Sequence, residues 1–166
     1  MLKAGDRAPE IDAETTNGDR FVLSKSTKHC TVVYFFPKAF TPGCTKETKL
    51  FTDNHQELSL GGADIIGIST DDNKTQCEFA TSMAAPFPLI ADADKSISRA
   101  FGVLWPVLGV PHRVTFIVDP SMHILAVFQH ELDIEKHRND VLLFVDELFR
   151  ARAVLRETKT RPPPSE

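Results

Sequence analysis

One cysteine in this sequence has neighbours that favour a reactive thiol. It ends the run TPGC at residues 41–44, shortly after the apolar run TVVYFF at 31–36. Thr41 is a good N-cap residue and Pro42 suits the first position of a helix, which makes Cys44 the third helical residue. Unpaired backbone N–H groups and the positive end of the helix dipole stabilise an anion there. The sequence therefore predicts that the thiolate of Cys44 is favoured over the thiol.

The place of Cys44 in the chain also favours a binding site. The run at 31–36 is apolar on both faces, as a central parallel strand should be. Open α/β sheets bind ligands at the carboxyl ends of such strands. Gly43 has no side chain and so allows the first helical amides to approach a small substrate. The alternative is an inert cysteine in an ordinary turn between a strand and a helix.

The positions of the other cysteines and of the histidines give no sign of a metal or cofactor site. Cys30 and Cys77 complete an odd set of three cysteines that lacks the spacing of a disulfide framework or a zinc site. The simplest interpretation of Cys30 is a packed apolar residue. The six histidines show no metal-binding spacing, so core or surface positions are expected for them. Phe40 and Trp105 are expected to fill the core, with pocket lining as the alternative.

Length and charge exclude several functional classes. The 166 residues suit one domain with a sizeable core, and the net charge of −4 provides no basic face for a nucleic acid. The longest apolar runs, such as VLLFV at 141–145, are too short to span a membrane. The N-terminus lacks the apolar core of a signal peptide. We therefore predict a cytoplasmic protein that binds neither nucleic acid nor membrane.

The order of helical and extended patterns predicts the elements that position Cys44. Asn17-Gly18 lies between two short extended stretches and indicates an N-terminal β-hairpin. Apolar β-rich runs and periodic stretches then give the order βαβα followed by ββα, with a helix from Pro42 to about Leu60. This order is that of an α/β thioredoxin-like fold with an N-terminal β-hairpin extension and a central mixed sheet flanked by helices. The predicted domain spans 1–155, and the polar, Pro-rich segment 156–166 is predicted to be a disordered tail.

Two motifs in this order resemble those of the peroxiredoxins. Pro37, Thr41 and Cys44 match the signature PxxxTxxC, and the form TPGCTKE is similar to the Q-type branch, also called bacterioferritin comigratory proteins. The later segment GVPHRVTFIVD at 109–119 resembles the family segment in which an arginine, here Arg113, opens a strand beside the catalytic cysteine. With further agreement at IIGIST and FPLIAD, the resemblance covers roughly residues 3–150.

The resemblance implies a thiol-dependent peroxidase that reduces hydrogen peroxide and organic hydroperoxides. Cys44 would attack one peroxide oxygen and become a sulfenic acid. Thr41 would hold the peroxide through its hydroxyl, and Arg113 would hold the thiolate and stabilise charge on the breaking O–O bond together with the amides of Gly43 and Cys44. Pro37 would shield the pocket from bulk water. No metal or other cofactor is implied.

The role of Glu47, one helical turn after Cys44, has two interpretations. It matches an acidic position common in this branch, where it would lie in the substrate-binding region and orient Arg113. The alternative is an acidic residue of the first turn that simply complements the helix dipole.

The resemblance leaves open how the enzyme is recycled. Q-type enzymes often carry a resolving cysteine five residues after the nucleophile, but Lys49 occupies that position here. Cys77 lies in the next predicted helix, about one turn before the usual alternative position. We therefore favour a one-cysteine enzyme that is reduced by thioredoxin or a similar thiol. The alternative is a two-cysteine enzyme in which Cys77 is the resolving thiol. Its assembly is expected to be a monomer or a homodimer.

Two other functions share parts of this chemistry. A non-enzymatic peroxide sensor would use the same sulfenate on Cys44 to change the binding of a partner. A thioredoxin-like disulfide reductase is less favoured, because it needs two closely spaced thiols and the predicted helix begins with only one.

Overall fold

A five-stranded mixed sheet forms the centre of the protein, and it confirms the predicted fold class. The computed structural model describes residues 1–160. The strands are β3 (Cys30–Phe35), β4 (Ala63–Ser69), β5 (Leu89–Ala91), β6 (Val114–Val118) and β7 (Ile124–Gln129). Their order is β5-β4-β3-β6-β7, in which β3, β4 and β5 are parallel and β6 runs antiparallel to β3 and β7. The end of β3 is therefore covered by strands on both sides.

Within residues 1–160, five α-helices and a separate hairpin flank the sheet. The predicted N-terminal hairpin is present as β1 (Asp12–Glu14) and β2 (Arg20–Val22), with Gly18 at a φ of +82° in its turn. The helices are α1 (Pro42–Asp53), α2 (His55–Leu60), α3 (Asn73–Ser82), α4 (Ser96–Phe101) and α5 (Ile134–Thr160). None of the helices in residues 1–160 combines the length and the apolar character that a membrane span requires.

Strand β3 divides the core into two parts because its side chains alternate between the faces of the sheet. Tyr34 belongs to one buried cluster, together with Phe51 of α1 and Val141 of α5. Phe35 belongs to the other cluster, which includes Phe101 of α4. Since β3 is buried on both faces, its last residue and the start of α1 are held by packing from two directions.

The predicted helix from Pro42 to about Leu60 is wrong in one respect, because it consists of two helices. The break lies at Asn54, which has a φ of −106° and a ψ of 8°. The Asn54 side-chain amide donates to the backbone carbonyl of Leu50 over 2.7 Å. A short polar side chain that bonds a nearby backbone group in this way competes with continued helix formation.

Strand β5 and the end of α5 also differ from the sequence prediction. Strand β5 is not among the predicted elements, because a strand of only three residues is too short to show a periodic pattern; it pairs with the last residues of β4. Helix α5 continues through Thr160, beyond its predicted end near Leu155. The segment 156–166 that was predicted as a tail thus overlaps α5 at 156–160, and its remaining part at 161–166 lies outside the described residues.

The two aromatic residues that were expected in the core are both exposed. Phe40 is 52% exposed and adopts a φ of +62° in the turn before α1. Trp105 is 38% exposed and stacks on His112, with ring centroids 3.9 Å apart. Core filling is therefore a wrong prediction for both residues.

Candidate active site

Cys44 lies where the sequence places it, at the third position of α1 beyond the carboxyl end of β3. Helix α1 begins at Pro42, and the Thr45 amide makes its first α-helical hydrogen bond, to the carbonyl of Thr41 over 2.9 Å. The amides of Gly43 and Cys44 have no partner inside the helix because they belong to its first turn. The Cys44 side chain is only 1% exposed. Its sulfur thus sits at the positive end of a helix dipole and largely out of water.

Thr41 occupies the N-cap position of α1, but its hydroxyl does not cap the helix. Instead it donates to the backbone carbonyl of Lys38 over 2.8 Å. Pro37 is half-buried and lies two residues after the end of β3. A backbone hydrogen bond from Ala39 to the Asp71 carboxylate, 2.8 Å long, ties this loop to the segment after β4. The loop that carries Pro37 and Thr41 is therefore fixed at both ends.

Arg113 brings a guanidinium group to the Cys44 sulfur, as the resemblance implies. It directly precedes β6, which pairs with β3, so the sheet register places it beside the start of α1. Its Nη2 lies 3.5 Å from Cys44 Sγ, Nη1 donates to the Glu47 carboxylate, and Nε donates to the Glu131 carbonyl over 3.2 Å. Each nitrogen of the guanidinium therefore has its own partner, which fixes its orientation.

The approach of Arg113 explains why a glycine precedes Cys44. A Cβ atom at Gly43 would lie 2.9 Å from Arg113 Nη2 and 3.4 Å from Ile134 Cδ1. The first of these distances is shorter than real Cβ contacts allow. A side chain at position 43 would therefore have to displace Arg113 Nη2, which contacts Cys44.

Glu47 lies on the same face of α1 as Cys44 and faces inwards. Its side chain is 1% exposed and forms a buried ion pair with Arg113. Burial raises the pKa of Glu47 to about 7, although the Arg113 guanidinium acts in the opposite direction. This geometry favours orientation of Arg113 over a simple first-turn interaction with the helix dipole.

Two residues at the site were missed by the sequence analysis. Glu131, which follows β7, accepts from the Arg113 backbone amide over 3.1 Å and pairs with His112 Nδ1 over 2.7 Å. His137 of α5 is completely buried, and its Nε2 lies 2.7 Å from Thr115 Oγ1 and 3.6 Å from Glu47 Oε1. No local pattern marks either residue, because both reach the site only through the packing of β7 and α5 on the sheet.

The other cysteines lie in different environments. Cys30, at the start of β3, is 1% exposed, and burial raises the pKa of its thiol to about 11. This confirms its interpretation as a packed apolar residue. Cys77 is half-buried in α3, with Sγ 3.8 Å from Asn73 Oδ1. Lys49, which occupies the position of a possible resolving cysteine, is exposed and pairs with Asp53.

The arrangement suits nucleophilic chemistry at sulfur. A guanidinium group and unpaired helical amides converge on one thiol, and both stabilise negative charge on it or on a substrate oxygen nearby. Within residues 1–160, no group of three or more His, Cys, Asp or Glu side chains has a geometry that could hold a metal ion.

Comparisons with known proteins agree with this chemistry. Residues 4–127 match the AhpC/TSA family. The chain is 34% identical over 152 residues to peroxiredoxin Bcp of Escherichia coli, which covers 88% of this chain and 97% of that protein. It is 31% identical over 145 residues to chloroplastic peroxiredoxin Q of Arabidopsis thaliana, which covers 87% of this chain and 67% of that protein.

Solved structures extend this similarity to the fold. The crystal structure of peroxidoxin BcpB from Mycobacterium tuberculosis superposes with a TM-score of 0.81 at 32% identity, covering 87% of this chain and 97% of that one. Peroxiredoxin Q of Xanthomonas campestris gives a TM-score of 0.76 at 28% identity, covering 84% and 91% of the two chains. Together with the family match, these relatives show that the chain belongs to the AhpC/TSA family and is a thiol-dependent peroxidase of the peroxiredoxin Q/Bcp type.

Proposed function

We propose that Cys44 is the nucleophile with which this enzyme reduces hydrogen peroxide and small organic hydroperoxides. The observation that carries the proposal is the 3.5 Å contact between Arg113 Nη2 and Cys44 Sγ at the N-terminus of α1. A cation and a helix dipole act there on the same sulfur, and both favour the thiolate.

The reaction begins with attack of the Cys44 thiolate on one oxygen of the hydroperoxide. The new S–O bond forms as the O–O bond breaks, and the bonding electrons leave with the second oxygen. That oxygen takes up a proton and departs as water or an alcohol, while Cys44 is oxidised to a sulfenic acid. Negative charge thus moves from sulfur to the leaving oxygen during this step.

The surrounding groups are suited to this movement of charge. Arg113 and the amides of Gly43 and Cys44 form a preorganised set of donors around the reacting oxygens. The Thr41 hydroxyl donates its hydrogen bond to the backbone carbonyl of Lys38, so its oxygen can accept a hydrogen bond from the peroxide O–H group. Pro37 covers the loop side of the site and limits the entry of water.

Reduction of the sulfenic acid by thioredoxin or a similar thiol completes the proposed cycle. We also propose that the protein acts in a reducing compartment such as the cytoplasm, because its three cysteines do not show the pattern of a disulfide framework. The plant relative named above is described as chloroplastic. The assembly remains predicted as a monomer or a homodimer that binds neither nucleic acid nor membrane.

Sustained turnover tests the proposed cycle. We expect a catalytic amount of the enzyme to consume many equivalents of hydrogen peroxide when a thiol reductant such as thioredoxin with its reductase is supplied. A peroxide sensor would instead be oxidised once and then stop. Consumption of no more than one equivalent per protein molecule would therefore favour the sensor over the proposed enzyme cycle.

The position of Cys77 on α3 supports a one-cysteine cycle. Phe79 is fully buried, with its ring 5.2 Å from that of Phe40 and 5.7 Å from that of Phe36, and so marks the face of α3 that packs on the loop before α1. Residues two positions apart lie on nearly opposite sides of a helix, since each residue turns it by about 100°. The Cys77 side chain thus lies on the side of α3 that faces away from this loop.

We therefore expect a trappable sulfenic acid on Cys44 after the reduced protein receives one equivalent of peroxide. Mass spectrometry of the trapped product and of any disulfide provides the measurement. The Cys77→Ser variant should retain turnover with an external thiol, because its sulfur takes no part in the proposed cycle. Rapid, stoichiometric formation of a Cys44–Cys77 disulfide would overturn this preference and require local unwinding of α1 or α3.

A further inference from the structure

A buried histidine of α5 lies beside the carboxylate that pairs with Arg113, and so connects α5 to the active site. His137 of α5 and Glu47 of α1 are both almost completely buried, and Thr115 of β6 contacts His137. Glu47 Oε2 accepts from Arg113, whereas its Oε1 has no hydrogen bond with any of the described residues. His137 Nε2 lies 3.6 Å from Oε1. The imidazole thus lies beside the carboxylate oxygen that lacks a hydrogen bond.

The contacts of His137 decide which of its nitrogens carries the proton. Burial lowers the pKa of His137 to about 4, so the ring is neutral near pH 7 and has one N–H group. A proton on Nδ1 would leave the lone pair of Nε2 facing the Glu47 carboxylate. A proton on Nε2 instead points at two oxygens, Thr115 Oγ1 at 2.7 Å and Glu47 Oε1 at 3.6 Å. The Nε2–H form is therefore the favoured one.

We propose that His137 is a positioning residue of this peroxidase, whose Nε2–H keeps the Glu47 carboxylate ionised and turned towards Arg113. The stronger hydrogen bond goes to Thr115, and the longer contact with Glu47 is electrostatic. Ionised Glu47 in turn holds Arg113 Nη1, which leaves Nη2 directed at Cys44 Sγ. This inference rests on the proposed roles of Cys44 and Arg113 and assigns α5 a part in the same site.

The charges around this group make the effect dependent on pH. Ionisation of Glu47 is opposed by burial and favoured by Arg113, and an N–H donor beside it favours the charged form. Loss of that donor raises the pKa of Glu47 further, so that less of it is ionised near neutral pH. The charged or titratable groups that surround the pair are Tyr34, Cys44, Arg113, His130, Glu131 and Asp140.

Two matched substitutions test the proposal. His137→Gln places an amide N–H near the position of Nε2, whereas the shorter side chain of His137→Asn does not reach Glu47. The measurement is the rate constant for oxidation by hydrogen peroxide in stopped flow, from about pH 6 to about pH 9. An increase of about one unit in the pKa of Glu47, from about 7, lowers its ionised fraction at pH 7 about fivefold.

We expect His137→Asn to be about fivefold slower than the wild type at pH 7 and nearly equal to it at pH 9, where Glu47 is ionised in both. His137→Gln should follow the wild type throughout, although it cannot titrate. In the Glu47→Gln background, His137→Asn should cause no further loss. His130→Gln is the control, because this ring lies 5.5 Å from that of His137 but pairs with Asp140.

Three results would overturn the proposal. They are an oxidation rate of His137→Asn that is lowered equally at every pH, equal rates for the Asn and Gln variants, and an additional loss from His137→Asn in the Glu47→Gln background. If His137→Asn does not fold, the apolar variant His137→Leu replaces it, because it also places no N–H group beside Glu47: a loss relative to His137→Gln that disappears towards pH 9 supports the inference, and equal rates for the two variants refute it. Failure of the proposed function gives a different result, namely peroxide consumption by a protein without Cys44.

Discussion

The Cys44→Ser variant is expected to consume no hydrogen peroxide above background in the presence of a thiol reductant. The serine hydroxyl remains protonated near neutral pH, even beside Arg113 and the first amides of α1, so no anionic nucleophile is available. The substitution exchanges one atom at a side chain that is 1% exposed, and the fold should be retained. Peroxide consumption under steady-state conditions is the measurement.

Cys30→Ala provides the matched control for this experiment. Cys30 is as deeply buried as Cys44, and burial raises the pKa of its thiol to about 11, so it is protonated at neutral pH. We expect this variant to keep its turnover. Activity that survives in Cys44→Ser but disappears in Cys30→Ala would refute the assignment of the nucleophile.

The second large effect is expected from Arg113→Ala, which should slow oxidation by peroxide about tenfold or more. The guanidinium is a fixed donor to Cys44 Sγ, and loss of one preorganised donor commonly costs at least this factor. The fraction of Cys44 present as thiolate should fall as well. Stopped-flow oxidation rates and thiolate absorbance against pH measure the two effects separately.

Arg113→Lys distinguishes the charge of this residue from its geometry. Lysine keeps the positive charge but cannot hold the Glu131 carbonyl, the Glu47 carboxylate and the Cys44 sulfur with three separate nitrogens. We expect an intermediate rate. Folding of both variants must be checked before their rates are compared. Arg113→Ala in particular leaves Glu47 buried without its cationic partner and so lowers the free energy of unfolding. Wild-type rates and an unchanged thiolate titration in Arg113→Ala would contradict its role.

Several elements of the site could be predicted because their causes are local. Thr41 and Pro42 start a helix through their own backbone preferences, and this fixes Cys44 at the third position. The apolar run at 31–36 forms the central strand because only a strand covered on both faces can bury such a run. Arg113 opens a strand in a segment that resembles a known family, and the pairing of β6 with β3 brings it to Cys44.

Other features could not be predicted from the periodic pattern or from residue type. Asn54 divides the long helix through a hydrogen bond to Leu50, which competes with a pattern that otherwise favours continuation. Phe40 and Trp105 are exposed, although their side chains are typical of a core, because they lie in loops outside the packed strands and helices. Residue type sets only a preference for burial, whereas the path of the backbone decides whether a given side chain is buried.

The sequence by itself thus determined the proposed nucleophile, the start of its helix, the main order of strands and helices, and the family. These depend on short-range backbone preferences and on motifs that remain visible in one dimension. The tertiary structure alone decided that Glu47 is buried against Arg113, that Gly43 makes room for the guanidinium, and that Glu131 and His137 complete its surroundings. The physical reason is that burial and electrostatic contact depend on distances across β6, β7 and α5, which spacing along the chain does not specify.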